Sequence, residues 1–419
     1  MMPTDMYTAR NKQGDGVSKK SIILVVLFWL PIVMLIVAIG YVLFFQPPHE
    51  IEVSVVDLPA SETQEVQLSW PDDGIAAIGA AGYGLLADDG NADEQVPIAS
   101  IAKLFTALAV LEEKPIGEGE DGETIVFGQT DEQYYADTVA ENGSSYPVNA
   151  GDSLTQREAL QALLIPSANN IAESLVDWVF GSEEAYLTYV NEMVADMGLE
   201  QTVIADASGM SPGSVSTPRE LITVAEKVLE QPVLAEAVRQ PQLTIDPSVG
   251  NVFNTNQLLQ EQFVIGVKTG TTDEAGANLV FAAEYPLTED ISETIIGVTL
   301  GQSEREVNTN ASNQLLLDAY AGFGFIEVVE ENTVVARYEV PWGQDVDIVS
   351  FGGITVGGWL GAEHTPEVVI DAIEPPIGLN EEVGVLEVES GNRASSVPVA
   401  TTDVIGEPSF FWRLLNIFN

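Results

Sequence analysis

The chain has 419 residues, 46% of them hydrophobic, enough for two or three packed domains. Lys and Arg number 15 against 64 Asp and Glu, a formal net charge of -49, which excludes nucleic acid as a partner because phosphate contacts need clustered cations. There is no cysteine and there are two histidines, His49 and His364, so disulfides, thiol catalysis and zinc–thiolate sites are excluded, and a Ser-His-Asp triad lacks a well-placed base.

Residues 1–21 form a basic tail with Arg10, Lys12, Lys19 and Lys20. Residues 22–45 are an unbroken apolar run containing Pro31. At about 1.5 Å per residue the run spans a bilayer core of about 30 Å. Basic residues before it and an acidic body after it predict a cytoplasmic N-terminus, a single span and an exported body at the cell membrane. A cleavable signal peptide is the alternative, but its apolar core is normally shorter and a small-x-small site should follow. Residues 46–68 read as a stalk, opening with "QPPHE" and holding one strand-like stretch, "EIEVSVVDL". Residues 69–325 open with strand-like "GIAAIGAAGYGLLA", run through a helical middle and return to strands after Phe263, a mixed domain whose first and last strands share a sheet. Residues 326–405 carry short alternating strands and predict a separate β domain. Residues 406–419 end in "PSFFWRLLNIFN", with Phe410, Phe411, Leu414, Leu415 and Phe418 on one helical face; a membrane-surface helix is expected, with docking on the chain's own domain as the alternative. Both histidines read as surface residues.

After residue 45 the chain has four lysines: Lys103, Lys114, Lys227 and Lys268. Lys114 and Lys227 sit near helix ends, where cations suit the dipole. Lys103 lies inside the apolar "VPIASIAKLFTALAVLEE", three residues after Ser100 and on the same helical face. A serine needs a base to become a nucleophile, and a buried lysine with a lowered pKa can be that base. The bland alternative is a helix-capping serine and a lysine reaching for solvent. Two more short patterns accompany it. "LLIPSANN" holds Ser167 and Asn169, and "VIGVKTGTT" holds Lys268, Thr269, Gly270 and Thr271 on a strand-like run. Gly270 allows a substrate backbone to approach the strand, and the flanking hydroxyls and Lys268 suit a carboxylate.

Together these are the S-x-x-K, S-x-N and K-T-G set of penicillin-binding acyl-transfer enzymes. The chain resembles the low-molecular-mass penicillin-binding proteins, the serine D-alanyl-D-alanine carboxypeptidases. "LTQREALQALLIPSANNIAESL", "ADASGMSPGSVSTPRELITVA", "TGTTDEAGANLVFAAE" and "IIGVTLGQSERE" are similar to that family's successive segments, so the likeness runs from about residue 70 to the end. It implies an α+β, β-lactamase/transpeptidase-like domain with an antiparallel sheet, flanking helices and a helical subdomain, followed by a small all-β domain. It implies Ser100 as the acylated nucleophile, Lys103 as its base, Ser167 as proton relay, Asn169 on the substrate amide, and Lys268 bonded to Ser167. Thr269 and Thr271 would bind the terminal carboxylate beside Gly270, with Arg219 of "STPRE" in support. The N–H groups of Ser100 and Thr271 would form the oxyanion hole. No metal or cofactor is expected.

The activity so implied is removal of the terminal D-alanine from peptidoglycan stem peptides, with β-lactams as covalent inhibitors. A D,D-endopeptidase or transpeptidase shares the acyl-enzyme. A β-lactamase would favour S-D-N over "SAN". An inactive cell-wall-binding scaffold would not need all three motifs. The N-terminal span and the acidity depart from the family's pattern; high salt, which screens self-repulsion, is one setting that suits the acidity.

Overall fold

A computed structural model describes residues 18–44 and 51–416. Arg10, Lys12, Phe45, His49, "QPPH" and Phe418 lie outside the described residues. Helix α1 (Lys19–Phe44) contains Pro31 and is exposed along most of its described length.

The strand Glu52–Val55 (β1) is followed by Ile75–Ala80 (β2) and Gly84–Asp88 (β3). Seven helices then build the middle: α2 (Lys103–Glu113), α3 (Gln129–Ala140), α4 (Gln156–Leu164), α5 (Asn169–Phe180), α6 (Glu183–Asp196), α7 (Pro218–Leu229) and α8 (Pro232–Arg239). Strands β4 (Val264–Thr272), β5 (Gly276–Pro286) and β6 (Ser292–Gln302) precede helix α9 (Arg305–Ala321). The five-stranded sheet has the order β4-β5-β6-β2-β3 and is antiparallel throughout, with β2 beside β6.

The sheet is covered on both faces, and the period of two explains how. Ile75, Ala77, Val280, Ala282, Ile296 and Val298 face the helical body, whereas Ala76, Ile78, Phe281, Ala283 and Ile295 face α9 through Leu315, Leu316 and Ala319. Strand β4 is left as an edge, with Lys268 registered against Val280 and Gly270 against Asn278. Helix α4 starts on a reciprocal capping box: Glu158 N donates to Thr155 Oγ1 and Thr155 N to the Glu158 carboxylate. That box fixes the start of the helix that leads into the loop carrying Ser167, after which Asn169 opens α5.

The strands after α9 are β7 (Phe323–Val329), β8 (Val334–Glu339), β9 (Val346–Ser350), β10 (Ile354–Trp359), β11 (Pro366–Ile370), β12 (Glu382–Ser390) and β13 (Arg393–Thr401). Six strands form one antiparallel sheet in the order β1-β8-β9-β13-β12-β11, and β7 pairs with β10. Val335, Tyr338, Ile348, Leu386 and Val399 form its core. The residue 325/326 boundary falls inside β7.

Two expectations change here. The described part of the stalk is docked: β1 runs antiparallel to β8, with Glu52 opposite Glu339, and the backbones of Ser61 and Gln64 donate to the carbonyls of His364 and Leu360. His364 is therefore buried beneath that segment, with its Nδ1 beside the Glu389 carbonyl, rather than a surface residue. Helix α10 (Phe410–Leu415) is capped by Ser409 and attached by Trp412, whose ring packs against Trp342 and whose Nε1 donates to the Pro341 carbonyl. Phe411 and Leu415 remain exposed. Arg393, held by the Gly357 carbonyl of its own domain, joins the two domains through Glu293 and the Ser292 carbonyl.

Candidate active site

Ser100 lies on a single 3-10 turn, Ala99–Ala102, that runs directly into α2. Its hydroxyl caps no helix N–H, so the capping alternative does not apply. Ala99 sits at φ 48, in the left-handed region, where a β-carbon is unfavourable and the surroundings must hold it. The surroundings do so: Gly209, at φ +79, lies so close that an added Cβ would be 1.9 Å from the Ala99 carbonyl oxygen.

Lys103 is fully buried, and its Nζ has three polar neighbours. They are Ser100 Oγ at 2.8 Å, Asn169 Oδ1 at 2.8 Å and the Ser208 carbonyl at 2.6 Å. The Ser208 carbonyl is aimed by a turn wound around Asp206, whose carboxylate accepts from the backbone N–H groups of Ser208 and Met210 and from the hydroxyls of Ser208 and Ser214. Burial lowers the Lys103 pKa to about 7, against the pull of Asp206 and Glu173. An amine at that pKa is substantially neutral at neutral pH. It then donates twice, to Asn169 and Ser208, and keeps a lone pair for the Ser100 hydroxyl.

Lys268 is also buried, and its pKa is driven well below the ordinary lysine value, first by burial, then by Lys103 and Arg305. Its Nζ donates to the Thr269 carbonyl at 2.9 Å. The expected bond from Lys268 to Ser167 is not formed. Ser167 is at φ 63, buried, and its Oγ has no partner. The N-cap of α5 is Ala168, so this hydroxyl caps no helix and is unused within the protein. Burial is what lowers the Lys103 pKa.

The three segments meet. Asn169 reaches Lys103 directly, Thr255 Oγ1 joins Thr269 at 2.5 Å while Thr255 N donates to the Ile165 carbonyl, and Gly270 packs on the Ser100 turn. The cleft between them, about 330 Å³, is lined by Ser100, Asn169, Thr271, Arg305, Glu141 and Met210. Arg219 is not part of it. As the second residue of α7 it faces outward and forms a two-pronged ion pair with Asp93, 2.6 and 3.0 Å. Its guanidinium is already matched there.

Arg305, rather than the Arg219 expected from the sequence, stands beside Thr271. It begins α9, and its Nε donates to Thr271 Oγ1 at 3.0 Å. The signal was available in "GQSERE", an arginine placed just after a closing strand in a chain poor in cations. No group of three His, Asp or Glu among the described residues is arranged to hold a metal ion.

Residues 81–303 match the family described as D-alanyl-D-alanine carboxypeptidase, just over half of the chain. The chain belongs to that family. The D-alanyl-D-alanine carboxypeptidase DacC of Escherichia coli is 24% identical over 351 residues, 78% of this chain and 82% of the relative. The D-alanyl-D-alanine endopeptidase of Pseudomonas aeruginosa is 32% identical over 197 residues, 45% of this chain and 60% of the relative. Among solved structures, penicillin binding protein 5 from Haemophilus influenzae superposes with a TM-score of 0.57 at 17% identity, covering 83% of this chain and 100% of that one. The D-alanyl-D-alanine carboxypeptidase DacD from Francisella tularensis gives 0.58 at 18%, covering 83% and 96%. These two establish the shared fold. As a carboxypeptidase of this family the chain is a serine peptidase, and acylation by β-lactams is general among its members. The apolar α1 fits a membrane anchor or a signal sequence.

Proposed function

We propose that the chain removes the terminal D-alanine of peptidoglycan stem peptides through an acyl-enzyme on Ser100. The observation that carries the residue assignment is the Lys103 amine, fully buried and 2.8 Å from Ser100 Oγ. Neutral Lys103 takes the Ser100 proton as Oγ attacks the penultimate D-alanine carbonyl. The N–H groups of Ser100 and Thr271 face the developing oxyanion. The unpartnered Ser167 hydroxyl passes a proton to the leaving amine, and Lys268, a second buried amine of lowered pKa, shapes the site's electrostatics. Asn169 lies where the substrate amide passes. Thr269, Thr271 and Arg305 hold the terminal carboxylate. Water then hydrolyses the ester and frees Ser100.

In this reading residues 69–325 are the catalytic domain. The β domain carries it on a single-pass α1 anchor, with the catalytic part outside the cell and α10 resting on the bilayer through Phe411 and Leu415.

Incubation with diacetyl-L-Lys-D-Ala-D-Ala should release one D-alanine per peptide, and Ser100→Ala should release none. Release that survives Ser100→Ala would contradict the assignment.

A further inference from the structure

A second hollow of about 180 Å³ adjoins the catalytic cleft. The two share Thr271 and Arg305; beyond them the hollow is lined by Thr269, Thr255, Gln257 and Thr309. Its outer wall is built into the fold. Asn254 Nδ2 donates to the carbonyls of Val238 and Gln240, and its Oδ1 accepts from Asn256 N, which pins the turn carrying Thr255 and Gln257. The Gln257 amide and the terminal guanidinium nitrogens of Arg305 make no hydrogen bond among the described residues.

The location gives the hollow a use. In the mechanism above, the leaving residue's carboxylate sits at Thr269, Thr271 and Arg305. Its α-carbon is bonded to that carboxylate, so its side chain begins at the edge of the hollow. The methyl of D-alanine would leave most of that space to water. We propose that the hollow is a side-chain subsite for the leaving D-residue and accepts neutral polar side chains longer than methyl, such as a carboxamide, with Gln257 and Arg305 as hydrogen-bonding partners. A cationic side chain is disfavoured there by Arg305. The reaction is unchanged: the Ser100 Oγ–C bond forms, the C–N bond breaks, the amine departs with a proton, and water opens the ester.

This rests on the Ser100 reading, and the test separates the two. The full-length chain in detergent is given diacetyl-L-Lys-D-Ala-D-X peptides with X as alanine, glutamine or lysine, and the freed amino acid is measured. Expected is a kcat/KM for D-glutamine within about threefold of D-alanine and a value for D-lysine at least about tenfold lower. Gln257→Trp and Thr309→Trp, which fill the hollow from two sides, should each lower the D-glutamine to D-alanine ratio about tenfold or more. Labelling by a fluorescent penicillin checks that each variant is folded. D-Alanine release with D-glutamine cleaved about a hundredfold more slowly by the wild type overturns the subsite alone. So does a ratio unchanged in both folded variants. No cleavage of any of the three peptides overturns the Ser100 reading as well.

Discussion

Gly270 lies directly against the turn that carries Ser100: a β-carbon at position 270 would stand 3.0 Å from the Ser100 amide nitrogen and 2.6 Å from the Ile98 carbonyl oxygen. The glycine is what lets the edge strand and the nucleophile's turn share one cleft. Both contacts are to backbone, so no side chain can swing aside. Gly270→Ala should push strand and turn apart, destabilising the fold by about 1–3 kcal/mol and slowing β-lactam acylation by at least about a hundredfold. Denaturant titration and acylation kinetics measure the two effects.

The state of Lys103 sets the pH dependence. With its pKa lowered to about 7, the neutral, proton-accepting form is depleted below that pH. The acylation rate constant should climb about tenfold per pH unit below the midpoint and level off above it. Glu173 favours the ammonium, so Glu173→Gln should move the midpoint down. Stopped-flow acylation across pH 5–9 measures both.

The same buried amine links stability to pH. Unfolded, it has the ordinary value of 10.5, so between about 7 and 10.5 the unfolded chain binds the extra proton and stability rises with pH. Below 7 both states are protonated and the full cost of burying the ammonium is present. In Lys103→Met that slope between pH 7 and 10 should be shallower, which melting curves at several pH values read directly.

The two arginines divide cleanly. Arg219 is engaged by Asp93 at an exposed site, and Arg219→Ala should leave kcat/KM within roughly twofold of the wild type. Arg305→Ala removes the cation beside Thr271 and should lower kcat/KM about a hundredfold, mostly through KM. Steady-state kinetics with a D-alanyl-D-alanine peptide distinguish them.

What could be read in the sequence follows from contrast. Lys103 and Lys268 stand out because the chain otherwise avoids lysine, and each falls in an apolar setting that makes its charge costly. The strands of the central sheet are legible through their apolar runs, and the span of α1 through its length. Arg219 and Arg305 show the limit. Each is a lone cation beside polar residues, and only the folded chain reveals that Asp93 meets one and Thr271 the other. The segment after α1 illustrates it again. "EVSV" looks like a strand, but nothing local tells it to pair with residues 336–339 rather than stand free. Ser167 is a third case, since a short serine–alanine–asparagine run does not announce a left-handed backbone.

The account stands on the pairing of Ser100 with a neutral Lys103. Intact-mass analysis after brief exposure to benzylpenicillin at pH 8, followed by peptide mapping, tests it most directly. A single added penicilloyl group mapped to Ser100, slowed by at least about a thousandfold in Lys103→Met, is the predicted result. Adduct on another residue, or on Ser100 at an undiminished rate in Lys103→Met, would contradict it.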